Sequence, residues 1–178
     1  MYTNNNIYHC LLDLKLGLPI ALKISTDNYI LLSSSENITN KTLSLMRNLS
    51  KSSTSIIINN KRMSYISKKN VEGELFSISF SKEISSKFIK DISSSMVNEK
   101  DYLEGSVISI ENRQEIKNLI QLMKINQIIP SIVFFNMALN DKTKLNSNIT
   151  NYNIKTYENI NLLTEIREQN EFTIVSRS

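Results

Sequence analysis

Tryptophan is absent from this sequence, and glycine, proline, cysteine and histidine number only 3, 2, 1 and 1. Each scarcity excludes something. The glycines, at positions 17, 73 and 105, stand alone, so neither a dinucleotide-binding fingerprint nor a phosphate-binding loop can be built from them. A single cysteine, Cys10, excludes an intramolecular disulfide and a multi-cysteine metal cluster, and it suits a reducing compartment. The single histidine, His9, sits beside it, but neighbours on a helix project about 100° apart and do not form a nucleophile pair. Cys10 falls instead on the apolar stripe Ile7, Cys10, Leu11, Leu14 and reads as a core thiol, with His9 partly exposed. No serine lies in a Gly-x-Ser-x-Gly elbow, so serine-nucleophile chemistry has neither its base nor its turn. No apolar run approaches the length of a membrane span, and "MYTNNNIYHC" lacks the basic and apolar regions of a signal peptide. A cytoplasmic protein without a membrane partner is expected.

What remains is rich in Asn, Ile, Lys and Ser, residues with A- and T-rich codons, and that bias weakens any reading of the +4 net charge. The basic residues are scattered rather than gathered on one face with interleaved aromatics, so no nucleic-acid partner is expected. Their densest group, Lys61, Arg62, Lys68 and Lys69, reads as a solvated helix face. A chain of 178 residues, 40% hydrophobic and 21% charged, suits one globular domain with a substantial core.

Periodicity predicts alternating helices and strands. A helix spans 5–16 and closes at Gly17; strands follow at 18–24 and 29–34, joined by a short turn. A helix over 39–49 takes Thr39 as its N-cap and buries Thr42, Leu45, Met46 and Leu49. "TSIIINN" (54–60) is a continuous apolar strand, the pattern of one covered on both faces. A short helix at 61–67 precedes "ELFSISF" (74–80), whose alternation predicts one apolar face, Phe76, Ile78 and Phe80. A helix at 81–96 carries Ile84, Phe88 and Ile92 on one side. A strand at 106–110 leads to a helix at 112–127 with Ile116, Leu119, Ile120 and Met123 as its stripe, and Pro130 opens the strand 131–137. Residues 140–153 read as a polar loop, followed by a strand at 154–156, a helix near 157–166 and a strand at 171–176. The expected fold is α/β (α+β), a mixed twisted sheet with helices on both faces.

Chemistry is harder to find. Metal sites need grouped His, Cys, Asp or Glu, and spacing supplies none. The close carboxylate pairs Glu72/Glu74 and Glu111/Glu115 are explained by solvated faces and helix starts.

The order of elements then points to a family. Residues 11–66, from "LLDLKLGLPIALKI" through "NYILLSSSENITNKTLSLM" to "INNKRMSYI", resemble the amino-terminal third of 3,4-dihydroxy-2-butanone 4-phosphate synthase, an enzyme of riboflavin biosynthesis. Glu36 and Thr39 match that family's Glu-x-x-Thr at a helix start. "LIQLMKINQIIPSIVFF" (119–135) resembles its later helix-Pro-strand segment, with Pro130 in the matching place. The resemblance covers about residues 5–160 and implies the synthase fold and a homodimer. It also implies, for an active member, magnesium-dependent conversion of ribulose 5-phosphate to the butanone phosphate and formate.

The chain departs from the family where that chemistry is done. The family's acidic loop shrinks here to Ser25–Asn28, with Asp27 as its one acid. At the Arg-x-Gly-His-Thr-Glu motif, Arg113 matches the Arg, but, with the x position skipped, Gln114, Glu115, Ile116 and Lys117 replace Gly, His, Thr and Glu. The strand-end Glu becomes Asn136. The resemblance therefore leaves Asp27 and Glu115 as the candidate catalytic residues, Arg113 as the candidate substrate-binding residue, no assigned metal ligand, and magnesium as cofactor only if the chain is active. "LLTEIREQNEFTIVSRS" (162–178) is similar to a linker entering the first strand of GTP cyclohydrolase II, so a domain boundary is expected near 160 and that enzyme is a possible partner.

Two alternatives stand beside a catalytically degenerate, dimerising synthase-like domain. One is an active synthase with a divergent site. The other is a nucleotide- or RNA-binding protein of the related threonylcarbamoyl-adenylate-synthase fold, whose basic motif is not found here.

Overall fold

A computed structural model describes residues 6–25, 28–94, 106–109, 113–137 and 152–157. Expectations for 140–151 and 158–178, including the helix over 158–166, the strand at 171–176 and the domain boundary, lie outside the described residues.

The elements run α1 (Asn6–Lys15), β1 (Ile20–Ser25), β2 (Asn28–Ser34), α2 (Asn40–Ser50), β3 (Thr54–Asn59) and α3 (Asn60–Ser67). They continue as β4 (Leu75–Phe80), α4 (Ser86–Ser94), β5 (Ser106–Ser109), α5 (Gln114–Ile125), β6 (Ile132–Met137) and β7 (Lys155–Tyr157). Seven strands form one sheet in the order β5-β4-β3-β6-β2-β1-β7. All neighbours are antiparallel except β1 and β7. The mixed sheet is covered on both faces, as the alternation of elements predicts.

The two faces carry separate cores. α1 and α5 pack Ile7, Leu11, Leu14, Ile116, Leu119 and Met123 against Ile20, Ile30, Leu32, Ile132 and Phe134. α2, α3 and α4 pack Leu43, Met46, Met63, Ile66, Ile89 and Ile92 against Leu31, Ile56, Ile58, Val133 and Phe135. Cys10 belongs to the first core and His9 is exposed, as read from the sequence.

Several burial patterns differ from expectation, each for a local reason. In α2 the fully buried pair is Leu43 and Met46, while Thr42, Leu45 and Leu49 are half-buried. Thr39 does cap this helix: its hydroxyl accepts from the Thr42 amide at 3.1 Å and also meets the Thr42 hydroxyl. That holds Thr42 at the helix mouth rather than in the core. β4 turns its one apolar face, Phe76, Ile78 and Phe80, into the second core as read from the sequence, and Leu75 on its serine-bearing face joins the first core. α4 starts at Ser86, later than expected, because the Ser85 hydroxyl and the Asn40 side chain accept from the Phe88 and Ser86 amides. Ile84 thus precedes the helix, and Ile89 joins Ile92 as its buried pair. Tyr157 ends β7 rather than opening a helix.

Gly17 closes α1 at φ +70°, and a Cβ there would overlap the Asn37 carbonyl. The turn after α1 needs this residue.

β7 is fastened to α1 by a buried carboxylate. Asp13, 5% exposed, accepts from Tyr157 Oη at 3.0 Å and from Lys155 Nζ at 3.1 Å. A carboxylate in such a place needs both partners, because an unpaired buried charge is costly. Burial, and secondarily the neighbouring Asp13, pushes the Cys10 thiol up to about 12 from its ordinary 9.0. Burial, then the bond to Asp13, raises Tyr157 as well. Both groups are held neutral in the fold, so their contribution is complete below the unfolded values and is lost as pH rises through the folded ones. Denaturant titrations should therefore show stability falling from about pH 9 toward pH 12, by up to about 4 kcal/mol for the thiol alone. Cys10→Ala should flatten that fall; an unchanged slope in the variant would remove Cys10 from the account.

Candidate functional site

The residues selected by sequence lie at two ends of the sheet. The β1–β2 hairpin pairs Ser25 with Asn28, so its connection is two residues long. Asp27 itself is outside the described residues. Asn136, exposed on β6 and paired with Ile30, is close to the hairpin end. At the opposite end lie the close of β2, the close of β3 and the start of β4, where Ser34 meets Ile132, Ile132 meets Ile57 and Asn59 meets Leu75. Six residues from Asn28 to Ser34, and two more from Ile57 to Asn59, put about 26 Å between the ends along the strands.

The start of α5 is tied to this far end. Lys117 Nζ meets Glu74 Oε2 at 2.9 Å, immediately before β4. That bond, with Lys117 pairing first and then attracting the charge, holds the Glu74 carboxyl below its ordinary range. Arg113 precedes the helix at φ −114°, ψ 81° and offers no side-chain cap. Gln114 donates to Asn118 at 2.8 Å along the same helix. Ile116, next in the chain to half-buried Glu115, is completely buried in the α1–α5 core. Nothing in this arrangement carries Arg113 or Glu115 toward the described residues that flank Asp27.

These side chains do not fit a magnesium ion. A hard dication asks for several oxygen donors in one place, and magnesium prefers near-octahedral surroundings. Glu115 is one carboxylate with Arg113 and Lys117 two residues to either side. Among the described residues no three His, Cys, Asp or Glu side chains gather as a possible metal site.

Two residues matched to the family signature have structural roles. Glu36 accepts the Ile129 amide at 3.2 Å, fixing the turn that leads into β6, while Thr39 caps α2. Pro130 lies in that turn.

Sequence reading missed a second group. Arg62 is not part of a solvated face: its Nε and Nη2 donate to the Ile92 and Asp91 carbonyls at 2.5 and 2.7 Å, and its guanidinium lies 5.0 Å from the Tyr65 ring centroid. Nearby, Ser93 and Ser131 are buried with their hydroxyl oxygens 2.9 Å apart, and Ser131 donates to Ser35 at 3.0 Å. The one available signal was a serine at position 93, four residues past buried Ile89 and therefore on the core side of its helix. The contacts of Arg62 are long-range and have no local pattern.

Comparison with solved structures finds the same architecture. The chain overlays a 3,4-dihydroxy-2-butanone 4-phosphate synthase in its cation-free form with a TM-score of 0.66 and 10% identity, covering 93% of this chain and 98% of that one. The enzyme from Candida albicans gives 0.62 and 12%, covering 90% and 96%. A two-domain synthase from A. baumannii gives 0.60 and 8%, covering 85% of this chain but 55% of the longer one. Another synthase structure of this kind holds two magnesium ions and gives 0.63. No family model and no curated protein matches the sequence. The chain thus has the synthase fold.

Because Ile116 is core, Ile116→Thr should destabilise the protein by about 2–3 kcal/mol through lost packing and a buried hydroxyl. Urea unfolding measures this, and a loss below about 0.5 kcal/mol would contradict the core assignment.

Proposed function

We propose that this chain is a riboflavin-biosynthesis protein that keeps the 3,4-dihydroxy-2-butanone 4-phosphate synthase fold without its lyase chemistry. In this reading it serves as the accessory, dimerising domain associated with GTP cyclohydrolase II. The likeness in fold supports the pathway. The observation that carries the loss of chemistry is the use made of the late motif: Ile116 is core and Lys117 is bound to Glu74. Glu115 is the one carboxylate left at those positions, between two cations. The two-residue hairpin supports the same conclusion, because it has no room for a loop with several acids.

The similarity of residues 162–178 to the entry of GTP cyclohydrolase II supports that association. Dimerisation has a surface to use. Tyr8 and Leu12 on α1 and Leu16 just past its end, spaced four apart, are 67%, 40% and 61% exposed, and Leu18 is exposed as well.

Incubated with ribulose 5-phosphate and magnesium, the purified chain should release no formate above background. Turnover that disappears in Glu115→Gln or Asp27→Asn would instead establish a working, divergent synthase. In sedimentation velocity the chain should run as a dimer, and Leu12→Lys combined with Leu16→Lys should give a monomer. A wild-type monomer at micromolar concentration would remove the dimerising role.

A further inference from the structure

One edge of the sheet is β7, a strand of three residues that pairs, among the described strands, with β1 alone and in parallel. The chain turns into it at Asn153, whose φ of 53° is a left-handed conformation that asparagine tolerates. Ile154, just before the strand, enters the core of α2, α3 and α4, while Tyr157 enters the core of α1 and α5.

β1 does not depend on this strand for its place. Ile20–Lys23 pair along their other edge with Tyr29–Leu32, and β2 pairs in turn with β6. α1 keeps Ile7, Leu11 and Leu14 in its own core. Lifting β7 therefore leaves a six-stranded sheet with both helical layers seated.

Asp13 is what resists that lifting. Its carboxylate is buried, and the two groups that donate to it, Lys155 Nζ at 3.1 Å and Tyr157 Oη at 3.0 Å, both belong to β7. Such a carboxylate has two acceptable situations, paired or in water. With β7 seated it is paired, and with β7 away it meets water on the flank the strand covered. A half-raised strand leaves it neither paired nor wet, so that intermediate is penalised. Lys155 already stands half in solvent when paired, and seating the strand costs its ammonium little hydration.

We propose that β7 is a latch: it leaves β1 as one unit while the other six strands stay paired, and Asp13 is the catch that makes the movement all-or-none. Opening bares the outer backbone edge of Ile20–Leu22 and, in the same event, releases the chain at Tyr157 from α1. A bare edge of this kind is a template for pairing with other chains, so the closed latch also guards the sheet against association through it. The latch is independent of the dimer and of synthase activity.

Hydrogen exchange on the full chain, followed residue by residue by NMR at low urea, tests this. The amides that pair β7 with β1 should exchange together, about a hundredfold or more faster than those of Ile56–Ile58 and Val133–Phe135. Asp13→Asn should speed that shared exchange about tenfold and leave the two central strands unchanged. Tyr157→Phe keeps the ring in the core and removes one donor, so it should act in the same direction, and it reads the catch if Asp13→Asn fails to fold. Lys15→Ala, an exposed change on the same helix, should alter neither rate. Exchange of β7 only as slow as that of β3 and β6 would mean that it opens with the whole fold, and there is no latch. Separate rates for its individual amides would mean fraying and would overturn the single unit. If Asp13→Asn or Tyr157→Phe speeds β3 and β6 as much as β7, Asp13 supports the domain as a whole and is no catch.

Discussion

Everything in this structure depends on β6 being buried on both faces. It lies between β2 and β3, and its successive residues go alternately into the two cores: Ile132 and Phe134 toward α1 and α5, Val133, Phe135 and Met137 toward α2, α3 and α4. A strand so enclosed has no water for its approach, so the chain entering it must satisfy its own polar groups. It does so closely. Ile128 donates to the Met123 carbonyl, Ile129 to the Glu36 carboxylate, and Ser35 to the Ser131 carbonyl. The serines that look like filler in the sequence complete the same set.

Much of the architecture was legible because the apolar rhythm and the burial agree. "TSIIINN" reads as a doubly covered strand and is one, and the stripe of α5 is buried as expected. Thr39 and Gly17 mark helix ends because capping and positive φ are local properties of those residues. Legibility failed where neighbours decide. The apolar face of β4 is the one its alternation shows, but its serine-bearing face is covered too, because serine is small enough to pack under a helix. The stripe of α2 is rotated because Thr42 joins the cap. Arg62 reads as surface because sequence cannot show that carbonyls thirty residues away will meet it.

The same division holds for function. Of the positions matched to the synthase signature, Ile116 is core, Thr39 caps α2 and Glu36 holds the Ile129 amide, so their pattern is legible in the fold. A carboxylate that holds a backbone amide at the entry to a buried strand, as Glu36 does, is useful to the fold whether or not chemistry takes place nearby. A fold shared at about 10% identity is sustained by burial pattern and connection geometry, which many sequences can satisfy.

Asp13 also sets an order of assembly. Its partners Lys155 and Tyr157 lie 142 and 144 residues further along the chain. During synthesis α1 emerges before the other described elements, yet its inward carboxylate has no counterpart until nearly the whole described domain has left the ribosome. This helix, made ahead of the sheet, is thus among the last of the described elements to be completed, and a nascent chain must keep that flank wet, or shielded by another protein, until β7 arrives.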